Sequence, residues 1–522
     1  MTDFAALSKD VLAGFLQTVV VIDDQAYDVQ NEKTAIPLKS PSRGQAKADD
    51  SSEDAARTQV AHSLDTSQLV SAFACKGLVC AVIAPQKDEP VEQRLGSVVD
   101  RCDIVIIDWQ MFNDDGKQTL SLIKHLCEGD CGNRLRLLCV YSGEPDLEKI
   151  SDQITGKKFG FTCHDNNKLL LRKDHVIVTI LGKSVVPVER LADELFNCFS
   201  IFTRGLLSNA VLAALTGIRR NTHRIIQKFD SSLDQAYISH RILSVPVDNS
   251  ESEILSVICS ELESAIHQSP KIPYINSGAI QAWMKSDARK NFNYDELNVN
   301  PNFAPQALEK LIEFGINHSD HSHDNVYQSI CSKVRSKKFV KESKMTLILG
   351  GKKPKDEDRR FAILSTLETR YEDYVPKLTL GSIVHDGERY LLCILPRCDS
   401  ARVPTKGRNF LFIQLVDKSP PQIDIIVKDN NNLVDLGISM HPYDTIIIRF
   451  AASTAGQPVK AVEKDGSWVF KIKSEDDNVE TVRWVADVKP QVAQAFANEY
   501  ASKVSRVGVN KSQWLHQLAN KE

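Results

Sequence analysis

Between residues 19 and 200, short apolar runs recur, each separated from the next by a stretch of helical period. The runs are 19–23 (VVVID), 78–84 (LVCAVIA), 103–107 (DIVII), 135–141 (LRLLCVY) and 175–181 (HVIVTIL). Each is rich in β-branched residues and lacks polar alternation, the pattern of a strand buried on both faces. The stretches 64–76, 90–100, 117–127, 145–154 and 187–200 read as helices. Parallel strands need a crossover connection, so this alternation predicts a doubly wound α/β sheet. Two segments interrupt it. Residues 30–60 are polar with Pro, Gly and Ser and read as an insertion after the first strand. Residues 156–173 (GKKFGFTCHDNNKLLLRK) read as a β-hairpin with an Asp-Asn-Asn turn, lengthening the stretch before the last strand.

Beyond this region the period changes twice. VERLADELFNCFSIF places Leu191, Leu195, Cys198 and Phe202 at helical spacing, and the helical theme continues to about residue 345. From about 374, short alternating strands with turn signals at Asp386-Gly387 and Asp465-Gly466 predict a β-rich domain, with a small barrel as one arrangement. Helices are expected at 489–504 and 511–519. The expected organisation is 1–202 for the α/β domain, 203–372 for a mainly helical region and 373–522 for the β-rich domain.

Bulk properties narrow the class of function. The chain has 522 residues, 42% hydrophobic and 25% charged, ordinary for globular domains with real cores. A net charge of -4 argues against a generally basic nucleic-acid binder. The start, MTDFAALSKDVLAGFL, lacks a basic segment followed by an apolar core, so no signal peptide is expected. No apolar run reaches the roughly 18 residues of a membrane span. The 12 cysteines are scattered, several inside apolar runs (Cys80, Cys139, Cys259, Cys393), which fits reduced thiols in a cytoplasmic protein.

Acids stand where the strands end. With the flavodoxin-like strand order 2-1-3-4-5, strands 1 and 3 are neighbours and ligands bind beyond their carboxyl ends. Strand 1 ends in Asp23-Asp24 and strand 3 leads into Asp108. Three carboxylates in one crevice repel unless a cation joins them, and oxygen-only ligands favour a hard ion such as Mg2+. Strand 4 leads into Ser142-Gly143 and strand 5 into Gly182-Lys183, adding a hydroxyl and an ammonium. Carboxylate nucleophile, metal, hydroxyl and lysine are the parts of a phosphoryl-transfer site.

This set resembles the receiver domain of two-component response regulators over roughly residues 15–200. The resemblance implies that Asp108 is the phospho-acceptor, that Asp23, Asp24 and Asp108 carry Mg2+, that Ser142 is the switch hydroxyl and that Lys183 pairs with the phosphoryl group. It also implies that Gln110 and Glu144 flank the path of the hydrolytic water, and that a histidine kinase supplies the phosphate. Two departures bear on signalling: Ser184 follows the lysine where receivers usually have Pro, and the segment before it, VTIL, lacks the usual aromatic residue. The whole layout is similar to the buffer component of Detocs-type bacterial phage-defence systems. That similarity implies a phosphate sink competing with a receiver-bearing effector, with no enzymatic activity beyond self-phosphorylation and autodephosphorylation. The alternative is a response regulator whose carboxyl half is an unrecognised effector, an enzyme or a nucleic-acid binder.

Other clusters carry less. HSDHSHD, residues 318–324, reads as a polar loop in preference to a metal site. Cys393 and Cys398 lack two further zinc ligands and read as buried thiols. The basic helix RRNTHRIIQK (Arg219, Arg220, Arg224, Lys228) reads as a solvated face, so neither nucleic acid nor membrane is an expected partner. LGGKKPK, 349–355, is a Gly-Lys loop without the P-loop pattern.

Overall fold

The computed structural model describes residues 3–26, 65–87, 89–128, 134–156, 159–164, 167–244, 247, 249–268, 275–286, 291–297, 300, 302–316, 325–370, 374–418, 423–441, 444–473 and 480–505. The polar insertion, the His-Asp run at 318–324, the tip of the hairpin turn and the helix expected at 511–519 lie outside them. The chain divides into two compact units, Met1–Arg224 with Glu263–Ser286, and Ile225–Leu262 with Asp287–Glu522.

The first unit is built on a seven-stranded sheet. Its strands are β1 (Thr18–Ile22), β2 (Val79–Ile83), β3 (Ile104–Ile107), β4 (Arg136–Ser142), β5 (Thr162–His164), β6 (Asn167–Lys173) and β7 (Val176–Gly182), in the order β2-β1-β3-β4-β7-β6-β5. The first five in that order run parallel, with Val19 opposite both Cys80 and Ile104. This is the expected 2-1-3-4-5 order. The hairpin β5–β6 does more than lengthen a connection. It pairs antiparallel with β7 and covers that edge of the sheet, burying Leu170 and Leu171.

The helices are α1 (Phe4–Phe15), α2 (Thr66–Ala74), α3 (Val91–Val99), α4 (Lys117–Glu128), α5 (Leu147–Gly156), α6 (Val188–Thr203) and α7 (Leu206–Arg220). On one face of the sheet α1, α2, α6 and α7 pack through Leu12, Phe73, Leu195 and Leu212; on the other α3, α4 and α5 pack through Leu95, Ile123 and Ile154. β3 and β4 are buried throughout, as their composition requires. β2 is not buried on both faces as expected: Val79 is 70% exposed, because the strand lies at the sheet edge.

α1 was absent from the sequence expectations. Its signal is an Asp3 N-cap that accepts from Ala5 N, followed by Phe4, Ser8, Val11, Leu12 and Phe15 on one buried face. α7 packs against it: Asn209 Nδ2 donates to Ser8 Oγ (3.0 Å) and Arg219 Nη1 to Phe15 O (2.7 Å). These contacts carry the first compact unit past the expected limit at 202. They also engage Arg219, one of the cations of the basic helix, inside the fold.

The second unit has helices at Ala304–Phe314, Asn325–Val334 and Pro354–Thr366, then strands β8 (Ser382–His385), β9 (Tyr390–Cys393), β10 (Arg408–Asp417), β11 (Ile425–Asp429), β12 (Asn432–Ile438), β13 (Thr445–Phe450), β14 (Val462–Lys464), β15 (Ser467–Lys471) and β16 (Thr481–Asp487). The antiparallel path β13-β10-β9-β8-β16-β15 returns on itself through a bridge between Phe450 and Ile472. Alternate residues of these six strands, among them Val384, Leu391, Phe410, Phe450, Phe470 and Val482, fill one core. The opposite side of β8, β9 and β10 packs with β11, β12 and the helix Pro490–Val504 into another. The β-rich region is thus a small barrel with an outer layer.

The described cysteines are free thiols, Cys139 and Cys393 buried but Cys259 and Cys398 exposed, so the expectation of burial fails at the last two. Burial pushes the Cys393 thiol up to about 12, which leaves it neutral and unreactive. Among the described residues no single helix is long and apolar enough to cross a membrane.

Candidate functional site

The parallel strands β1 and β3 end side by side, Ile22 opposite Ile107, so the residues that follow them share one end of the sheet. Asp23, Asp24 and Asp108 meet there, each with a carboxylate oxygen within 4.8 Å of the others. Lys183, just past β7, reaches across: its Nζ lies 2.8 Å from Asp108 Oδ2 and 3.0 Å from Asp23 Oδ2. Three carboxylates and one ammonium leave two negative charges in a mostly buried pocket, where repulsion between like charges is poorly screened.

Each carboxylate is held by backbone. Asp23 Oδ1 accepts from Gln25 N (2.9 Å), Asp108 Oδ1 from Gln110 N (3.4 Å) and Asp24 Oδ2 from Phe112 N (2.8 Å). Asp24 Oδ1 is buried without a partner. An unpartnered buried carboxylate oxygen is costly, and a cation is the natural group to satisfy it. The donor set is all oxygen and short by two positive charges, so a hard divalent ion fits; Asp23, Asp24 and Asp108 would hold it.

The titration behaviour follows from the same crowding. Burial raises the Asp108 carboxyl; Lys183 pulls it down and Asp23 pushes it up, with a net upward shift. Asp24 is raised by burial, lowered by the Phe112 N–H, and raised again by Asp23 and Asp108. Burial alone would lower Lys183, but Asp108 and Asp23 outweigh it and the ammonium is held above its ordinary range.

The loop after β3 shapes the surroundings of Asp108. Thr119 Oγ1, on α4, donates to the Asp108 carbonyl (2.8 Å). Phe112, Asn113, Asp115 and Gly116 all have positive φ. Gly116 is obligatory: a Cβ there would stand 2.2 Å from the buried Trp109 ring, whose backbone follows Asp108 directly. Neither Thr119 nor Gly116 was singled out from sequence. Gly116 belongs to the turn signal FNDDG, but nothing in it indicates Trp109 as the neighbour.

Ser142 ends β4 and is fully buried; its Oγ accepts from Glu144 N (3.1 Å). Gln110 and Glu144, expected to flank one path, form a pair, with Gln110 Nε2 donating to Glu144 Oε1 at 2.9 Å. The aromatic residue missing from the last parallel strand has a counterpart on β4: the Lys183 ammonium lies 5.9 Å from the centre of the Tyr141 ring. Tyr141 OH donates to Val186 O (2.6 Å), and burial carries its pKa up to about 12, so the ring stays protonated and anchored.

Residues 15–188 match the family model of the response receiver domain. The match covers about a third of the chain and spans every residue of the cluster. A receiver domain implies a phospho-acceptor response regulator and, in general, a histidine kinase as the partner. No curated protein and no solved structure matches the chain.

Proposed function

We propose that the protein takes a phosphoryl group from the phosphohistidine of a histidine kinase onto Asp108 and acts as a phosphate sink in a two-component anti-phage defence system. The observation that carries the acceptor role is the Lys183 ammonium shared by Asp108 and Asp23 beside the unpaired oxygen of Asp24. In the transfer, an Asp108 carboxylate oxygen attacks phosphorus. The new P–O bond forms as the P–N bond breaks, and the imidazole nitrogen keeps the electron pair. Lys183 neutralises phosphoryl oxygens, and the Ser142 hydroxyl donates to one of them. Mg2+, held by Asp23, Asp24 and Asp108, would supply the remaining charge neutralisation on those oxygens.

A kinase and the acyl-phosphate assay test this reading. Asp108→Ala should abolish labelling from the kinase and from a small phosphodonor. Labelling of that variant that persists without Mg2+ would overturn the assignment.

The sink role asks for rapid loss of phosphate, in competition with a receiver-bearing effector for the same kinase. Gln110 and Glu144 support it: a polar pair two residues past the acceptor and two past Ser142 can hold a water in line with the acyl phosphate. Gln110→Leu should prolong the phosphoprotein by about tenfold, roughly 1.4 kcal/mol in barrier. The readout is decay of labelled protein after the donor is removed. A wild-type half-life of many hours would contradict a sink. Under this reading the protein is a cytoplasmic phosphoprotein without other enzymatic activity. Nuclease, phosphatase or nucleotide-cleaving activity of the full chain that depends on phosphorylation would favour an effector in the carboxyl half instead.

A further inference from the structure

Residues 333–360 carry eleven Lys and Arg against four Asp and Glu, in a chain whose net charge is -4. Such a segment repels itself, so its charges call for partners. Some have them within the fold. Lys333 Nζ donates to Leu297 O (2.8 Å), Lys344 Nζ pairs with Glu296 (2.7 Å), and Arg359 pairs with Asp435. The ammonium groups of Lys341 and Lys355, and of Lys418 from beyond the segment, have no partner among the described residues. These three line a cavity of about 440 Å³ within the second unit, bounded by the helix Pro354–Thr366 and the start of β11.

The rest of the lining has a definite chemistry. Val340, Ala362, Ile423, Ile425 and Ile426 make much of it apolar. Its acids are committed: Asp358 accepts from Thr346 Oγ1 (2.5 Å), Asp424 from Ile438 N (2.7 Å), and Asp435 Oδ2 pairs with Arg359. One acceptor is left over, because Asp435 Oδ1 is buried with no hydrogen-bond partner. A cavity of this size is in the small-molecule range. It offers uncommitted cations, an apolar surface and a lone acceptor for an N–H or O–H.

We propose that this cavity binds a nucleoside polyphosphate, with the phosphates on Lys341, Lys355 and Lys418, the base on the apolar surface and a donor of the base or sugar on Asp435. The nearby Gly-Lys loop does not provide a phosphate cradle: the amides of Lys352 and Lys353 already donate to Glu357 Oε1, both at 3.1 Å. The phosphates therefore fall to side chains, and binding weakens with salt. A single-stranded nucleic acid is the poorer fit, because it needs a charged groove that tracks several nucleotides, whereas a cavity of about 440 Å³ holds a single small molecule.

The test is titration of the full-length protein with ATP, GTP, adenosine, inorganic tripolyphosphate and a single-stranded oligonucleotide. Saturable binding of ATP or GTP is expected, weakened about tenfold or more by Lys341→Glu and by Lys418→Glu. Both lysines face solvent at least in part, so circular dichroism and melting should be unchanged. Asp435→Asn removes a charge from the lining and frees Arg359, so it should favour tripolyphosphate and lower the preference for the nucleotide over it. Absence of saturable binding by either nucleotide overturns the proposal. So does tripolyphosphate binding as tightly as ATP, an oligonucleotide binding more tightly than both nucleotides, or nucleotide affinity untouched by the two lysine reversals.

Discussion

Asp24 spends its two oxygens differently: one holds the Phe112 amide and the other has no protein partner. Burial first, then Asp23 and Asp108, raise its carboxyl above the ordinary value despite that amide. A carboxyl with a raised folded-state pKa stabilises the fold in its protonated form. That contribution is complete below the unfolded pKa, near 4, and is lost as pH rises through the folded one. At neutral pH in chelator the ionised Asp24 is therefore a burden. Asp24→Asn keeps an acceptor for Phe112 and removes the charge, so it should melt higher than the wild type at pH 7. The advantage should vanish as pH falls toward 4. With Mg2+ the order should reverse, because the variant loses a ligand. A variant less stable than wild type in chelator at pH 7 would show that the carboxylate's charge serves the loop rather than a cation.

The loop between β3 and α4 turns a strand end into a site. Positive φ at Phe112 is unusual for a bulky residue, and such conformations persist only where the surroundings hold them. Here the Asp24 carboxylate holds Phe112, while Asp114 accepts from Gly116 N (3.0 Å) and Gln118 N (2.7 Å) and so starts α4. Gly116→Ala would combine a disfavoured φ with a clash on Trp109. Together these should cost about 3 kcal/mol. Because Trp109 adjoins Asp108, phosphorylation should slow as well, out of proportion to the folded fraction. Denaturant melts and labelling rates on the same sample separate the two effects; wild-type melting and wild-type labelling would refute the steric argument.

At the scale of the molecule, two compact units make a single two-state transition a poor expectation. The acidic cluster belongs wholly to the first unit. Calorimetry should resolve more than one transition, and only the receiver's should respond to Mg2+. At a hundredfold excess over the dissociation constant the stabilisation is about 2.7 kcal/mol. Asp24→Asn should remove most of that response and leave the other transition in place. A uniform shift of the whole thermogram would mean that the cation binds elsewhere or that the units unfold together.

The strands and the three acids at their ends were legible in the sequence, for a local reason; the strand order came from supposing a flavodoxin-like sheet, which the structure has. A strand buried on both faces must be an unbroken apolar run, so the residue that ends it is visible as the first charge. Val19–Ile22 running into Asp23, and Ile104–Ile107 into Asp108, needed no further information. What tertiary structure decided involves residues far apart in the chain. Lys183 meets Asp23 across 160 positions, Phe112 meets Asp24 across 88, and Gln110 meets Glu144 across 34. No periodicity or turn rule spans such distances. The exposure of β2 is a similar case: the 2-1-3-4-5 order puts it at an edge, yet its apolar run reads like that of a central strand, and how much of it is covered is set by the elements that pack around it. The cavity lined by Lys341, Lys355 and Lys418 is another such case, because lysines far apart in sequence share one space only when apolar residues from β11 and the helix beside it close around it.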